Sequence, residues 1–557
     1  ASPLTPKLIE IGNLMKADQG QYIRELGRPA CYELIAQITK RSEISATDWH
    51  LIANLLTSLK PAPNDTNDPA SLEQLKSIRS RFGKSSNDYD RALFAFKKAE
   101  ELYIKEMRAK RQSAEGEIVD GLLGLCYSDA ARLHYERRNE FLDVIQKLTQ
   151  AETNLHSVTD SLLHVYVLAL LGESMVRQST MTQASDRSGV GNYDEDRIEE
   201  VFNRAMGRLG DCFPAIQLAG SPSPDDHLYA AVINQHRAHF YLEFWKLGKS
   251  ERQAELAAAT RQKTIDRVIA EGKDPETNSL PGPTEESEIY LDVCRQYIRC
   301  NLLKALAAHF SGNAHNAELA LEKSIEKASN PEDWEYFAEA SQWESFLPNF
   351  RQRFADYHIF VSGNLEAAKL ELDGYLESAE KMKWNEPTDP RHNIYLSQTY
   401  RAAWIEAMLG NPELCAEMLK EIQIPQDKAP LELTVARAFS DGNVKEALRA
   451  IVVGQSQDTE TVISRDDRQL LLLICEYVRK GIQSPDREEL DQAYKFYAKP
   501  WQSNNIGNAY LNAIRNRANA LRSELADQAM ISSRLDNPSP TAELAGASMQ
   551  ATLRSND

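Results

Sequence analysis

The stretch GNAHNAELAL at 312–321 returns as GNLEAAKLEL at 363–372, GNPELCAEML at 410–419 and GNVKEALRAI at 442–451. In each copy a Gly-Asn pair is followed by a small residue five positions after the Gly (Ala317, Ala368, Cys415, Ala447). An aliphatic residue follows nine positions after it (Leu321, Leu372, Leu419, Ile451). The pattern predicts a helical hairpin. Gly adopts positive φ at the turn, and a small residue in the second helix lets the two backbones approach closely. Three further Gly-Asn pairs, at Gly12, Gly191 and Gly507, lack the rest of the pattern, so it is the combination that marks the repeat.

Upstream, Tyr89, Ala92, Leu93, Phe96, Ala99 and Leu102 carry a similar second-helix pattern, and Trp49, Ile52, Ala53 and Leu56 a matching first helix. Together with the four turns, these residues resemble the tetratricopeptide repeat, over about half of the chain. The turn glycines lie 51, 47 and 32 residues apart rather than at a constant 34, so the repeats are degenerate. The resemblance implies an all-α fold of helical hairpins stacked as an α-solenoid, with a less regular N-terminal helical region. It also implies a protein or peptide partner held on the concave face by first helices. The positions three, six and ten before each turn Gly then give the candidate contacts Arg353, Tyr357, Tyr400, Trp404, His309 and Phe439. An aromatic at such a position either anchors a ligand or packs on the next repeat.

Five segments follow from the patterning: N-terminal helices in 1–60, an irregular long-helix region in 71–180, a helical region in 197–270, the repeat array in 288–500 and a disordered tail in 527–557. Helical periodicity sets the first four. Within them, long helices are expected over about 88–111 and 119–137, and a helix over 228–247. Polar stretches at 178–196 and 272–286 read as connections, and a looser hairpin is expected around Gly481. The tail is small and polar. No run of β-branched alternation bounded by turns predicts a sheet.

The 557 residues include 42% hydrophobic and 26% charged side chains, an ordinary balance for a globular protein. A formal net charge of −18 argues against nucleic acid, whose binding draws on clustered Lys and Arg. The longest apolar run, Leu162 to Leu171, is about half the length needed to cross a bilayer, so it reads as a buried helix and membrane insertion is not expected. Seven Cys without a C-x-x-C suit a reducing compartment. The expected location is therefore the cytoplasm, or another compartment after removal of a leader. The sequence sets neither partner identity nor oligomeric state.

Little in the chain carries catalytic chemistry. His236, His239 and Glu243 share one helix face, three side chains of types that bind metals, yet one face does not bring ligands to a point, and no metal is expected there. The Gly189-Val190-Gly191 phrase follows a polar stretch instead of a strand, so it fails as a dinucleotide fingerprint. No phosphate-binding loop and no G-x-S-x-G elbow occurs. The reading is a non-catalytic interaction scaffold without cofactor. The alternatives are a regulatory or sensor module for a small ligand or peptide, and an all-α enzyme with a site between the N-terminal half and the array.

Overall fold

A computed structural model of the chain describes residues 32–33, 35–41, 43–58, 81–82, 87–110, 114–137, 141–156, 158, 162–185, 195–216, 227–244, 246–272, 285–329, 346–362, 364–389, 391–420, 422 and 431–442. Among these the regular structure is helical, with no strand. The helices are α1 (Ala46–Ser58), α2 (Asp88–Lys110), α3 (Ala114–Arg137), α4 (Phe141–Leu155), α5 (Leu162–Ser185), α6 (Glu195–Ile216), α7 (Leu228–Glu243) and α8 (Leu247–Gly272). They continue as α9 (Glu285–Phe310), α10 (Ala314–Ser329), α11 (Leu347–Tyr357), α12 (Leu365–Lys381), α13 (His392–Met408), α14 (Pro412–Lys420) and α15 (Leu431–Ser440), with a π-turn at His358–Ser362 after α11.

The fold is all-α, built of successive helices packed as a helical-repeat protein. It forms two compact units: the first reaches Ser324 and the second begins at Ile325, with residues 285–288 of α9 counted in the second. The division falls within α10 because the α9–α10 hairpin is bound to α8. Lys304 Nζ lies 3.1 Å from Glu255 Oε1, Asn316 Nδ2 donates to Glu251 Oε1 at 3.0 Å, and Arg261 Nη1 reaches Cys300 Sγ at 3.2 Å.

The turns explain the recurring dipeptide. Gly312 has φ +83°, its N–H donates to the carbonyl of His309 at 3.0 Å, and the N–H of Asn313 donates to that of Ala308 at 2.9 Å. Gly410 has φ +95° and repeats both bonds, to Ala407 at 3.1 Å and, from Asn411, to Glu406 at 2.9 Å. This is a Schellman cap, in which a left-handed residue closes the helix by satisfying its last carbonyls. The Asn then begins the next helix: Asn313 Oδ1 accepts from Asn316 N at 3.3 Å, and Asn364 Oδ1 from Ala367 N at 3.0 Å. Gly stops one helix and Asn starts another. Gly442, at φ +67°, follows α15 and its N–H donates to the carbonyl of Phe439 at 3.1 Å, while Gly363 and the residues after Gly442 lie outside the described residues.

The small residues behave as the spacing predicts: Ala317, Ala368 and Cys415 are buried. In the first unit Ser324 Oγ donates to the carbonyl of Ile298 at 3.2 Å, which fixes α9 and α10 as antiparallel neighbours about Gly312. In the second unit, Lys369 meets Glu406 near one end of α12 and Glu380 meets Tyr395 near the other, so α12 and α13 also run antiparallel.

The long helices expected over 88–111 and 119–137 are α2 and α3, and the apolar run from Leu162 is α5, buried on nearly all sides. Two boundaries differ from the sequence reading. The connection expected from residue 178 instead continues α5 to Ser185, because the polar stretch holds no Pro or Gly before Gly189 to break it. The helix expected over 228–247 stops at Glu243, where the N–H of Lys246 turns back to the carbonyl of Tyr241 at 2.7 Å. The looser hairpin around Gly481 and the tail at 527–557 lie outside the described residues.

Candidate functional site

The chemistry-bearing side chains of the first unit meet between α5 and α7. Glu173, set in the apolar helix α5, is buried and would be costly to ionise alone. Its Oε1 accepts from Arg177 Nε at 2.7 Å, one helical turn on, while its Oε2 lies 3.2 Å from His236 Nδ1 and 3.1 Å from His239 Nδ1. The other nitrogen of His239, Nε2, lies 3.3 Å from Glu243 Oε1. Arg177 also stacks over the rings of Tyr135, at 5.2 Å, and Phe141, at 6.0 Å, which shields the pair from water.

Electrostatics follows from this geometry. Burial opposes ionisation of Glu173, but the charges of His239 and Arg177 and the two imidazole hydrogen bonds outweigh it, holding the carboxyl well below the usual range. Burial likewise opposes a charge on His239, and Glu173 and Glu243 overcome it, raising the ring to about 10. Burial pushes the Tyr135 hydroxyl up, so it stays neutral.

His236, His239 and Glu243 are thus brought together, with Glu173 and Arg177 as partners that sequence spacing did not reveal. The sequence signals only that a buried polar site exists, through an acid and a base four residues apart in an otherwise apolar helix, and not which residues complete it. Glu173 and Glu243 sit against different nitrogens of the same ring, and among the described residues no group of three or more His, Cys, Asp and Glu side chains is placed to hold a metal ion.

A second buried chain of polar groups joins α1, α2 and α3. His50 Nε2 lies 3.0 Å from Asp129 Oδ2, Asn54 Nδ2 donates to the same oxygen at 2.9 Å, and the Tyr103 hydroxyl lies 3.5 Å from His50 Nδ1. Burial works against the charge on Asp129, but His50 outweighs it and holds the carboxyl below its ordinary value. His50, Tyr103 and Asp129 are all buried, so this chain ties three helices together rather than meeting a substrate.

The six positions expected to line a groove divide. Tyr357, Tyr400, Trp404 and Phe439 are buried, and only Arg353 and His309 are half-exposed. The four aromatics are core residues. For Tyr400 and Trp404 the reason is that α13 is enclosed: every residue from 400 to 407 is buried, and Arg401 Nη1 is held by Asp356 Oδ1 of α11 at 2.8 Å. Large exposed apolar side chains in the second unit are instead Leu370, Ile394 and Leu414, on α12, α13 and α14.

Cys126, Cys212, Cys294, Cys300 and Cys415 are buried, and burial raises the Cys126 and Cys300 thiols and pushes Cys415 up to about 12, which keeps these three from ionising near neutral pH. No helix among the described residues is long and apolar enough to cross a membrane.

No family model and no curated protein matches the chain. Among solved structures, one that is similar is described as a "Circular tandem repeat protein with novel repeat topology and enhanced subunit contact surfaces", with 14% identity, a TM-score of 0.28, and coverage of 91% of this chain and 100% of that one. A likeness that slight adds nothing to what the helices themselves establish: the chain is a helical-repeat protein by its own turns and packing.

Proposed function

We propose that the chain is a non-catalytic scaffold of tetratricopeptide type that binds a partner protein or peptide. The observation that carries this reading is the recurrence of one capped hairpin, with Gly at positive φ and Asn beginning the next helix, in an otherwise irregular sequence. Stacked hairpins present long rows of side chains on successive helices, a surface suited to extended partners. The described polar clusters support the same reading, because their carboxylates and imidazoles are turned on one another inside the packing.

The contact residues of this proposal lie in the second unit and are still open to solvent: Arg353 from the expected groove, and Leu370, Ile394 and Leu414. The net charge of −18 favours a neutral or basic peptide surface. The test begins with affinity capture and ends with purified components. Wild-type protein should form a stoichiometric complex with the captured partner, and Leu370→Glu, Ile394→Glu or Arg353→Glu should weaken it at least tenfold without lowering Tm. Turnover of a small substrate by the purified chain, abolished by substitutions in the ionic cluster, would contradict the scaffold reading.

A further inference from the structure

The contact between α5 and α7 has a chemical requirement that the helices alone do not impose. Both nitrogens of the His239 ring face carboxylate oxygens, Nδ1 toward Glu173 at 3.1 Å and Nε2 toward Glu243 at 3.3 Å. A neutral imidazole has one N–H and one lone pair, so it would satisfy one carboxylate and turn its lone pair on the other. Only the imidazolium donates to both.

We propose that His239 is held as an imidazolium and that its second proton is a structural component, a latch between α5 and α7 that opens when the proton leaves. The charged neighbours balance this assignment. From α5 come Glu173 and Arg177, from α7 His236 and Glu243, from α3 the hydroxyl of Tyr135, and beyond it Arg299 of α9 contributes to the field at Tyr135. On α6, Glu199 is engaged with Tyr241 and Lys249, and on α8 Ser250 and Arg261 bond backbone carbonyls of α7. Among Glu173, Glu243, Arg177 and His239, two carboxylates face one guanidinium and one imidazolium, and these four charges balance. Loss of the proton leaves two buried carboxylates facing one guanidinium, and the Glu243 side chain is fully buried.

The direction with pH follows. The folded ring is raised from the ordinary 6.5 to about 10, so the latch's contribution to stability is full below pH 6.5 and is lost as pH rises through about 10, where the folded ring gives up its proton. Tyr135 and Arg177 are both raised and keep their protonation across this window.

Nitrogen-15 NMR of imidazole-labelled full-length protein tests the proposal directly. At pH 8 both nitrogens of His239 should show protonated shifts, and the ring should titrate above pH 9, with His236 assigned separately through His236→Gln. Amide exchange in α5 and α7 should accelerate together over the same pH range. Glu243→Gln, which keeps the shape and removes one charge, should move the titration down by more than one pH unit. A neutral His239 ring at pH 8, or an unchanged titration in Glu243→Gln, would overturn the latch. If Glu243→Gln does not fold, the two wild-type nitrogen shifts decide the question.

Discussion

Arg351 lies across the face of Gly374: a Cβ built on that glycine would sit 3.2 Å from Nε, 3.3 Å from Cζ and 3.4 Å from Cδ of the guanidinium arm. The arm has little freedom to retreat, because Nη1 holds the buried Glu371 at 2.8 Å and Nη2 reaches Ser329 Oγ at 3.2 Å. Gly in a helix interior ordinarily costs about 1 kcal/mol relative to Ala. Here the close approach makes Gly374→Ala destabilising by roughly 0.5–1 kcal/mol, whereas in an Arg351→Ala background the same change should stabilise by about 1 kcal/mol. A double-mutant cycle in urea measures the reversal, and two effects of the same sign would show that Arg351 yields freely.

Lys383 presents the opposite case. It occupies the left-handed position that Gly fills elsewhere, with φ 60°, and completes a Schellman cap through its own N–H to Glu380 at 2.8 Å and that of Trp384 to Ala379 at 3.0 Å. Relief of the left-handed strain, about 1–2 kcal/mol, exceeds the added entropy of an unfolded Gly, about 0.5–1 kcal/mol. Lys383→Gly should therefore raise stability by roughly 0.5 kcal/mol. Its side chain is exposed, so an unchanged or lower midpoint would count against the cap rather than against a lost contact.

Acid should act through a different imidazole. His164 is lowered to about 4, first by burial and then by Arg208, His156 and Arg204. Arg208 Nε donates to His164 Nδ1 at 3.1 Å, a bond that a protonated ring cannot accept. The folded state's advantage is full above 6.5 and is lost as pH falls through about 4. Between pH 6.5 and 4, His164→Gln should flatten the slope of stability against pH for the first unit; an unchanged slope would place the acid sensitivity elsewhere.

Much of this fold is legible in the sequence, for reasons that differ by element. Gly312 and Gly410 can be read because a turn is local: the dipeptide that ends one helix and starts the next lies within a few residues. The ionic cluster could not be read in full, since His239 finds Glu173 across 66 residues and nothing in either helix encodes the pairing. The burial of Tyr400 and Trp404 was not legible for a third reason. Periodicity shows which residues share a face, but it cannot show that α13 is covered on every face from 400 to 407.

Trp404 makes that last point measurable. It is among the largest fully buried side chains. Trp404→Ala should cost about 3–5 kcal/mol in the stability of the second unit. Purified partner, once in hand, should then bind the folded fraction of the variant with wild-type affinity. A large loss of affinity with little change in Tm would restore Trp404 to the role of anchor.

The most direct test of the hairpin repeat compares two glycines of the first unit in one denaturation experiment. Gly312 sits at φ +83° between α9 and α10, while Gly210 lies exposed within α6 with nothing within 4 Å of an added Cβ. Nothing crowds Gly312 either, so only backbone conformation separates the two. Gly312→Ala should destabilise by roughly 1–2 kcal/mol and Gly210→Ala should stabilise by about 0.5–1 kcal/mol. Opposite signs support a capped hairpin at the repeated Gly-Asn, and stabilisation by Gly312→Ala would mean that a continuous helix runs through the turn.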